Sequence, residues 1–236
     1  MTNANWDDMW LHEGFATYMQ PLYAQYLDGD AEYYAWLHRL RLMIGNRHPV
    51  VSGHAMTEEQ VYDDARGGPG QDIYNKGALM LQTLRHLIGD RAFYASIREL
   101  VYGRPDPKPG NFRLQYRTTA DFMRIVNQVT GKDYDWFFKV YLYQAALPKL
   151  NVQRRGGTLA LAWQAPGQLS FPMPVEVRVD DAVHTVPMAD GHGSLAVPAG
   201  ALVTIDPHSV LLRDEPRITE FRQWMKQQRA ARSRRK

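Results

Sequence analysis

The sequence of 236 residues contains no cysteine. Disulfide bonds, thiolate metal sites and cysteine nucleophiles are therefore excluded from its chemistry. It has no uninterrupted apolar run of about 18 residues, so the sequence predicts no membrane-spanning helix. Glycine and proline, at 18 and 14 residues, are too few for a fibrous or disordered protein. With 44% hydrophobic and 22% charged residues, the composition is that of an ordinary globular protein.

The excess of positive charge is confined to the C-terminal end of the chain. Lys and Arg number 28 against 25 Asp and Glu, but residues 217–236 alone carry eight basic side chains and one acidic one. The remaining residues hold 20 basic and 24 acidic side chains. A nucleic-acid partner is therefore not expected. The basic end is typical of a solvated tail, and contact with phosphates or a membrane surface is the alternative interpretation.

Helical and β-strand patterns occupy different parts of the sequence. Apolar residues at helical spacing predict helices over 6–27, 32–44, 73–88, 91–101, 119–130 and 134–144. Pro21 predicts a kink or a break in the first helix, and Gly89 is expected to end the third. The period then changes to two, which predicts short strands around 159–163, 175–179, 183–186, 195–197 and 203–205.

These patterns predict an α+β, multi-domain chain. Its three parts are a helical subdomain (1–147), a small antiparallel β-sandwich (148–214) and a terminal amphipathic helix with a basic tail (215–236). The spacing of apolar residues in the terminal helix predicts that this face docks on the body. The residues of that face are Ile218, Phe221, Trp224 and Met225. The segment 103–110 is rich in proline and predicts a rigid connector.

Glu13 does not fit the apolar helix in which it lies. On a helical wheel it falls among Met9, Trp6 and Trp10, and the opposite face of the helix is apolar as well. This pattern predicts a buried carboxylate, which must be protonated, paired with a cation or bound to a metal. From the pattern alone, pairing with an arginine is the first interpretation and metal ligation the second.

Three segments of the sequence resemble peptidase family M1, the gluzincin aminopeptidases. Residues 2–16, TNANWDDMWLHEGFA, resemble the family's T-N-x-x-W-x-x-x-W-L-N-E-G-F-A, with His12 in place of the usual Asn. Residues 74–78, YNKGA, resemble Y-x-K-G-A, and residues 133–148 resemble the end of the family's helical catalytic domain. The segments follow the family's order and together cover most of the chain.

The resemblance implies a zinc-dependent aminopeptidase that acts on peptide substrates, with a helical part similar to the C-terminal half of a thermolysin-like domain. It implies that Glu13 is the third zinc ligand and that Tyr74 donates a hydrogen bond to the oxyanion formed when water attacks the peptide carbonyl. His12 is expected to face another side of the helix rather than to act as a ligand. The residues expected to pack around this site are Trp6, Trp10, Gly14, Lys76 and Gly77.

The family's other zinc ligands have no counterpart in this sequence. They are the two histidines of H-E-x-x-H, but none of the eight histidines here lies four residues from another. Family spacing places them before Met1, and the family's G-x-M-E-N element is missing as well. We therefore expect a truncated chain, through a start codon assigned too late or a real truncation. One zinc ion is expected in the full-length parent, with neither zinc nor activity in this chain alone.

The alternative function is a non-catalytic remnant or binding module of the same fold. In either case, loss of a partner helix is expected to expose the face of Trp6 and Trp10 and to permit self-association. The glycine-rich stretch 66–70 is not a phosphate loop, because no G-K-[ST] follows it and Pro69 has no N–H to donate.

Overall fold

The computed structural model of the chain describes residues 1–104, 106–107, 110 and 113–233. The predicted connector over 103–110 therefore lies partly outside the described residues, as do the last three basic residues of the tail. The described residues form the α-helices α1 (Trp10–Asp28), α2 (Asp30–Met43), α3 (Glu58–Val61), α4 (Asn75–Tyr102), α5 (Thr119–Thr130), α6 (Asp135–Tyr141) and α7 (Pro216–Ser233). None of the helices in these ranges is long and apolar enough to cross a membrane.

The helices follow the sequence pattern closely. α5 has the predicted bounds, 119–130. α1 continues through Pro21, so the predicted break is not present, although proline removes one backbone donor from the helix. The helices predicted at 73–88 and 91–101 are joined as α4, and Gly89 adopts a non-helical conformation at the joint, with φ of 79°. Gly89 thus redirects the chain without a connecting loop.

The strands form one parallel pair and two antiparallel sheets. They are β1 (Thr2–Asn3), β2 (Tyr116–Arg117), β3 (Lys149–Arg155), β4 (Thr158–Gln164), β5 (Val175–Val179), β6 (Ala182–Val186), β7 (His192–Ala196) and β8 (Val203–Ile205). β1 pairs with β2 in parallel. The other strands form two three-stranded antiparallel sheets, in the orders β3-β4-β7 and β6-β5-β8. β4 and β5, the central strands, show the alternating burial that the sequence predicted.

Aromatic side chains link the helical part to the sheets. Phe15 of α1 packs edge to face on Phe122 of α5, with ring centroids 5.3 Å apart. Further along the core, the ring of Phe171 lies 5.6 Å from Tyr141 of α6 and 5.1 Å from Trp163 of β4. All five side chains are buried, so the helices and sheets share one hydrophobic core.

The terminal helix α7 is held by an arginine rather than by its aromatic side chains. Arg222 Nε donates to the carbonyl oxygen of Leu42 at 3.0 Å, and a second guanidinium nitrogen donates to the carbonyl of Arg41. Phe221 and Trp224 are 42% and 52% exposed. The prediction that these two aromatic side chains dock α7 on the body is therefore wrong.

Candidate active site

A buried polar cluster fixes the start of α1. The Asp8 carboxylate accepts hydrogen bonds from the backbone N–H and the hydroxyl of Thr119, at 2.8 and 2.7 Å. Trp10 Nε1 donates to the same hydroxyl oxygen at 2.8 Å. Before them, Asn5 caps a short 3-10 turn, Trp6–Asp8, by accepting from the Asp8 N–H. The first turn of α1 is therefore tied to the start of α5.

Glu13 lies in this first turn and is half-buried, not enclosed in an interior as the sequence pattern predicted. The helical wheel treated both sides of α1 as covered. Ala16, three residues after Glu13 and its neighbour on the helix surface, is however exposed, and Thr17 is only half-buried. Trp6 is 36% exposed, whereas Trp10 is fully buried. The packing of these two indoles around the carboxylate stays a prediction.

Two glycines let α1 and α4 approach closely beside Glu13. A Cβ atom added to Gly77 would lie 3.1 Å from the Cα atom of Gly14. A Cβ atom added to Gly14 would lie 3.0 Å from the carbonyl oxygen of Ile73. Both distances involve backbone atoms, which cannot rotate away, so larger residues would push the helices apart. The contact brings the residue before Gly14, Glu13, to the N-terminal end of α4, where Tyr74 lies.

Two tyrosines interact with the Glu13 carboxylate. The Tyr62 hydroxyl donates to Glu13 Oε1 at 3.1 Å. Burial and this hydrogen bond raise the pKa of Tyr62 to about 12. Burial and the negative charge of Glu13 raise the pKa of Tyr74, which is half-buried at the N-cap of α4. Both phenols therefore keep their protons at neutral pH and can act as hydrogen-bond donors.

Lys76 points away from this carboxylate. Its side chain is fully buried, and Nζ donates to the carbonyl oxygens of Gln144 and Ala145 at 2.7 and 2.8 Å. Burial lowers its pKa to about 8. Lys76 therefore links α4 to the segment that follows α6 and takes no direct part in the arrangement around Glu13.

The described residues do not contain a complete set of metal ligands around Glu13. Within them, no group of three His, Cys, Asp or Glu side chains is placed to hold an ion. His12, next to Glu13, is exposed. A catalytic zinc ion takes three protein ligands and keeps one open position. The part of the chain that the structure describes therefore does not fit a whole zinc site.

Some of the predicted site residues lie close together in the structure, and one further residue beside them was not predicted from the sequence. Glu13, Gly14, Gly77 and Tyr74 lie together where α1 meets α4. Tyr62 is the addition. It is separated from Glu13 by 49 positions in the chain, and no periodicity or motif in the sequence marks a side-chain hydrogen bond over that distance.

Comparison with known proteins identifies the family. The family model described as the Peptidase family M1 domain matches residues 1–141, which include both Glu13 and Tyr74. The chain belongs to peptidase family M1. The resemblance to this family is thereby confirmed; the match includes residues 2–16 and 74–78 and the third segment up to residue 141.

Relatives of this M1 chain are aminopeptidases of much greater length. It is 26% identical over 171 residues to a membrane alanyl aminopeptidase of Heliothis virescens, covering 65% of this chain and 16% of that protein. It is 27% identical over 154 residues to a glutamyl aminopeptidase of Bitis rhinoceros, covering 62% of this chain and 15% of that protein. The chain thus spans about one sixth of the length of these relatives.

A solved structure has a similar fold. The crystal structure of Legionella pneumophila aminopeptidase A in complex with aspartic acid matches with a TM-score of 0.60 and 16% sequence identity. The match covers 86% of this chain and 23% of that one. It therefore extends beyond the residues matched by the family model and includes part of the antiparallel sheets.

Proposed function

We propose that this chain provides Glu13 and Tyr74 to the active site of a zinc-dependent aminopeptidase, which removes N-terminal residues from peptides. The observation that carries the proposal is their placement on either side of the Gly14–Gly77 contact, inside the segment matched by the M1 family. In the same proposal, the helical part corresponds to the C-terminal half of a thermolysin-like domain, and the two sheets form a small β-sandwich after it.

Glu13 is assigned as one protein ligand of the zinc ion. Its carboxylate is of a type that zinc accepts, and its half-buried position leaves it open to a neighbouring segment. A zinc ion held in part by Glu13 would supply Lewis-acid chemistry to the substrate carbonyl and to the attacking water. The two remaining protein ligands in this proposal are the histidines of an H-E-x-x-H segment outside these 236 residues.

Tyr74 is assigned as a hydrogen-bond donor to the oxygen that becomes negative when water adds to the peptide carbonyl. Its raised pKa keeps the phenol protonated at neutral pH, as this role requires. Removal of one such donor costs a factor of about 10²–10³ in rate in other hydrolases. Tyr74→Phe is therefore expected to lower kcat without removing the metal.

The test compares zinc content and activity in two proteins. These 236 residues alone are expected to bind much less than one zinc per chain and to leave aminoacyl reporter amides intact. The same residues expressed with the sequence encoded immediately upstream are expected to bind about one zinc per chain and to hydrolyse the amides.

Variants of the longer protein give the control. Glu13→Ala is expected to lose the metal, whereas Glu220→Ala, at an exposed position of α7, is expected to retain it. Stoichiometric zinc in the 236-residue chain would contradict the assigned ligand set. An upstream sequence without paired histidines, and a longer protein without zinc, would favour the non-catalytic module instead.

A further inference from the structure

The terminal helix α7 is attached to the body through the end of α2. Glu215, directly before α7, forms an ion pair with the buried Arg41 at 2.5 Å. Arg222, in the second turn of α7, donates to the backbone carbonyl oxygens of Arg41 and Leu42. Because Arg41 and Leu42 both belong to the last turn of α2, these contacts fix which side of α7 is turned toward the body.

Two aromatic side chains lie on another side of α7. Phe221 and Trp224 are three residues apart and therefore neighbours on the helix surface. Their rings are stacked, with centroids 5.7 Å apart and an interplanar angle of 27°, and the side chains are 42% and 52% exposed. Arg217, four residues before Phe221, is exposed as well. This side of α7 therefore combines a block of apolar surface with a positive charge.

The charge of this end of the chain is of one sign. Residues 217–236 hold eight basic side chains and one acidic one, and five of the eight basic residues belong to α7. The rest of the chain holds more acidic than basic residues, so attraction to a polyanionic surface is concentrated at α7. Clusters of about four to eight Lys and Arg residues on an amphipathic helix are typical of segments that bind anionic lipids.

We propose that α7 binds the surface of a bilayer of anionic phospholipids, with Phe221 and Trp224 at the boundary between headgroups and acyl chains. Aromatic rings are favoured at that boundary, and each basic residue near it adds to the attraction. The stacked pair favours a bilayer over a nucleic acid, because each ring already covers one face of the other and leaves less ring surface for a base. The inference selects the membrane alternative to a solvated tail and does not depend on the proposed peptidase activity.

The first arm of the experiment is sedimentation of the 236-residue chain with vesicles at low salt. Vesicles of phosphatidylcholine mixed with phosphatidylglycerol are expected to bind the chain at least about tenfold more tightly than vesicles of phosphatidylcholine alone. Phe221→Ser combined with Trp224→Ser is expected to weaken binding to the anionic vesicles at least about tenfold. The matched control Tyr116→Ser, at a position 67% exposed in β2, is expected to leave binding unchanged.

A chain that ends at Ser233 measures the contribution of charge. It keeps every residue of α7 and lacks three of the eight basic residues. Its binding to anionic vesicles is expected to be at least about tenfold weaker. Lys149→Gln, which removes an exposed charge from β3, is expected to bind as the unchanged chain does.

The second arm locates Trp224 in the bilayer. Bromine atoms on the acyl chains quench nearby indoles, so the tryptophan fluorescence of the bound chain is expected to fall. Trp224→Phe keeps an aromatic ring at this position and is expected to retain binding but to lose most of the quenching.

The other outcomes would overturn the inference. Absence of binding to vesicles would leave a solvated tail. Undiminished binding of the double serine variant, or quenching that persists in Trp224→Phe, would place the contact elsewhere on the molecule. Binding to a fluorescent single-stranded oligonucleotide but not to vesicles would make α7 a nucleic-acid contact. Since none of these measurements involves zinc or hydrolysis, each leaves the proposed function standing.

Discussion

Lys76 places an ammonium group in the core, and no carboxylate among the described residues forms an ion pair with it. Two of its three N–H donors bind carbonyl oxygens. The carboxylate of Asp72 acts on it from a distance and raises its pKa slightly against the larger effect of burial, which lowers it. The Asp72 carboxylate itself accepts hydrogen bonds from the backbone N–H groups of Gly45 and Asn46, each at 2.7 Å. The charge of Lys76 is therefore costly to bury.

This cost predicts a pH dependence of stability. The pKa of Lys76 is about 8 in the folded chain, against an ordinary value of 10.5. Between these values the unfolded chain keeps a proton that the folded chain releases, so the free energy of unfolding rises with pH. The rise is up to about 1.4 kcal/mol per pH unit. Urea unfolding from pH 7.5 to 9.5 measures it.

Lys76→Met should remove the rise of the unfolding free energy between pH 7.5 and 9.5. Lys149→Met, at an exposed position of β3, should leave that rise unchanged. The range ends at pH 9.5 because the tyrosines have the opposite effect. Since the pKa of Tyr62 is raised to about 12, the unfolded chain loses that proton first, and the free energy of unfolding falls above pH 10. Identical slopes in Lys76→Met and the unchanged chain would contradict the assignment.

At the residue scale, a motif named residues that lie near each other in the structure, whereas burial inferred from periodicity was wrong; the roles of those residues stay predictions. The M1 resemblance named Glu13 and Tyr74, which the structure places together. Periodicity alone predicted that Glu13 is enclosed. A helical wheel shows which neighbouring residues are apolar, but it does not show whether other elements pack on them. Tyr62 was missed because its contact depends on how the segment 57–70 folds back.

At the scale of elements, the crossing of α1 and α4 determines where the site lies. Gly77→Ala would place a methyl group 3.1 Å from the Cα atom of Gly14. Overpacking of this kind costs about 1–3 kcal/mol, while alanine regains about 1 kcal/mol of helix propensity. We expect a net loss of about 1 kcal/mol in the free energy of unfolding, measured by urea titration.

The control for this variant is Gly157→Ala, in the turn between β3 and β4. A Cβ atom there would meet the carbonyl oxygen of Val197 at 3.6 Å, an ordinary contact. Its effect should stay within about 0.5 kcal/mol. If Gly77→Ala matched the control or stabilised the chain, the close approach of the helices would not be the reason for glycine at this position.

Elements with one covered face were predictable from the sequence, and elements at an edge were not. β4 alternates between buried and exposed residues and gives a clear period of two. β3 lies at the edge of the same sheet with almost every residue exposed, so its sequence shows no alternation. The pair β1–β2 has two residues in each strand, too few for any period to be detected.

At the scale of the whole molecule, helices α1–α6 precede residue 147, and the strands of the two antiparallel sheets follow it before α7. Apart from the short parallel pair β1–β2, this is the order that the sequence predicted. The boundaries of the three predicted parts remain predictions. The parts are joined through the core: the Tyr141 hydroxyl donates to the Leu212 carbonyl at 2.7 Å, and the Thr83 hydroxyl donates to the Val210 carbonyl at 2.8 Å. Both donors are buried, so the helices and the sheets stabilise each other.

The exposed apolar face of the molecule differs from the one expected. Trp10 is buried, and the exposed apolar residues instead continue along α1 beyond Glu13. No charged residue occurs from Gly14 to Leu27. The exposed members of this face are Met19, Tyr23, Tyr26 and Leu27. Surfaces poor in charge and rich in tyrosine and methionine are typical of the centre of protein interfaces.

We therefore expect the 236-residue chain to self-associate through this face of α1, with an average mass by light scattering that rises with concentration. Tyr23→Glu combined with Leu27→Lys places charges at positions that are 64% and 57% exposed, at a spacing that suits a helix. This variant should remain monomeric. Leu202→Glu, 78% exposed and distant in sequence, should associate as the unchanged chain does. A monomeric unchanged chain at all concentrations, or an equal effect of both variants, would show that α1 is not the contact.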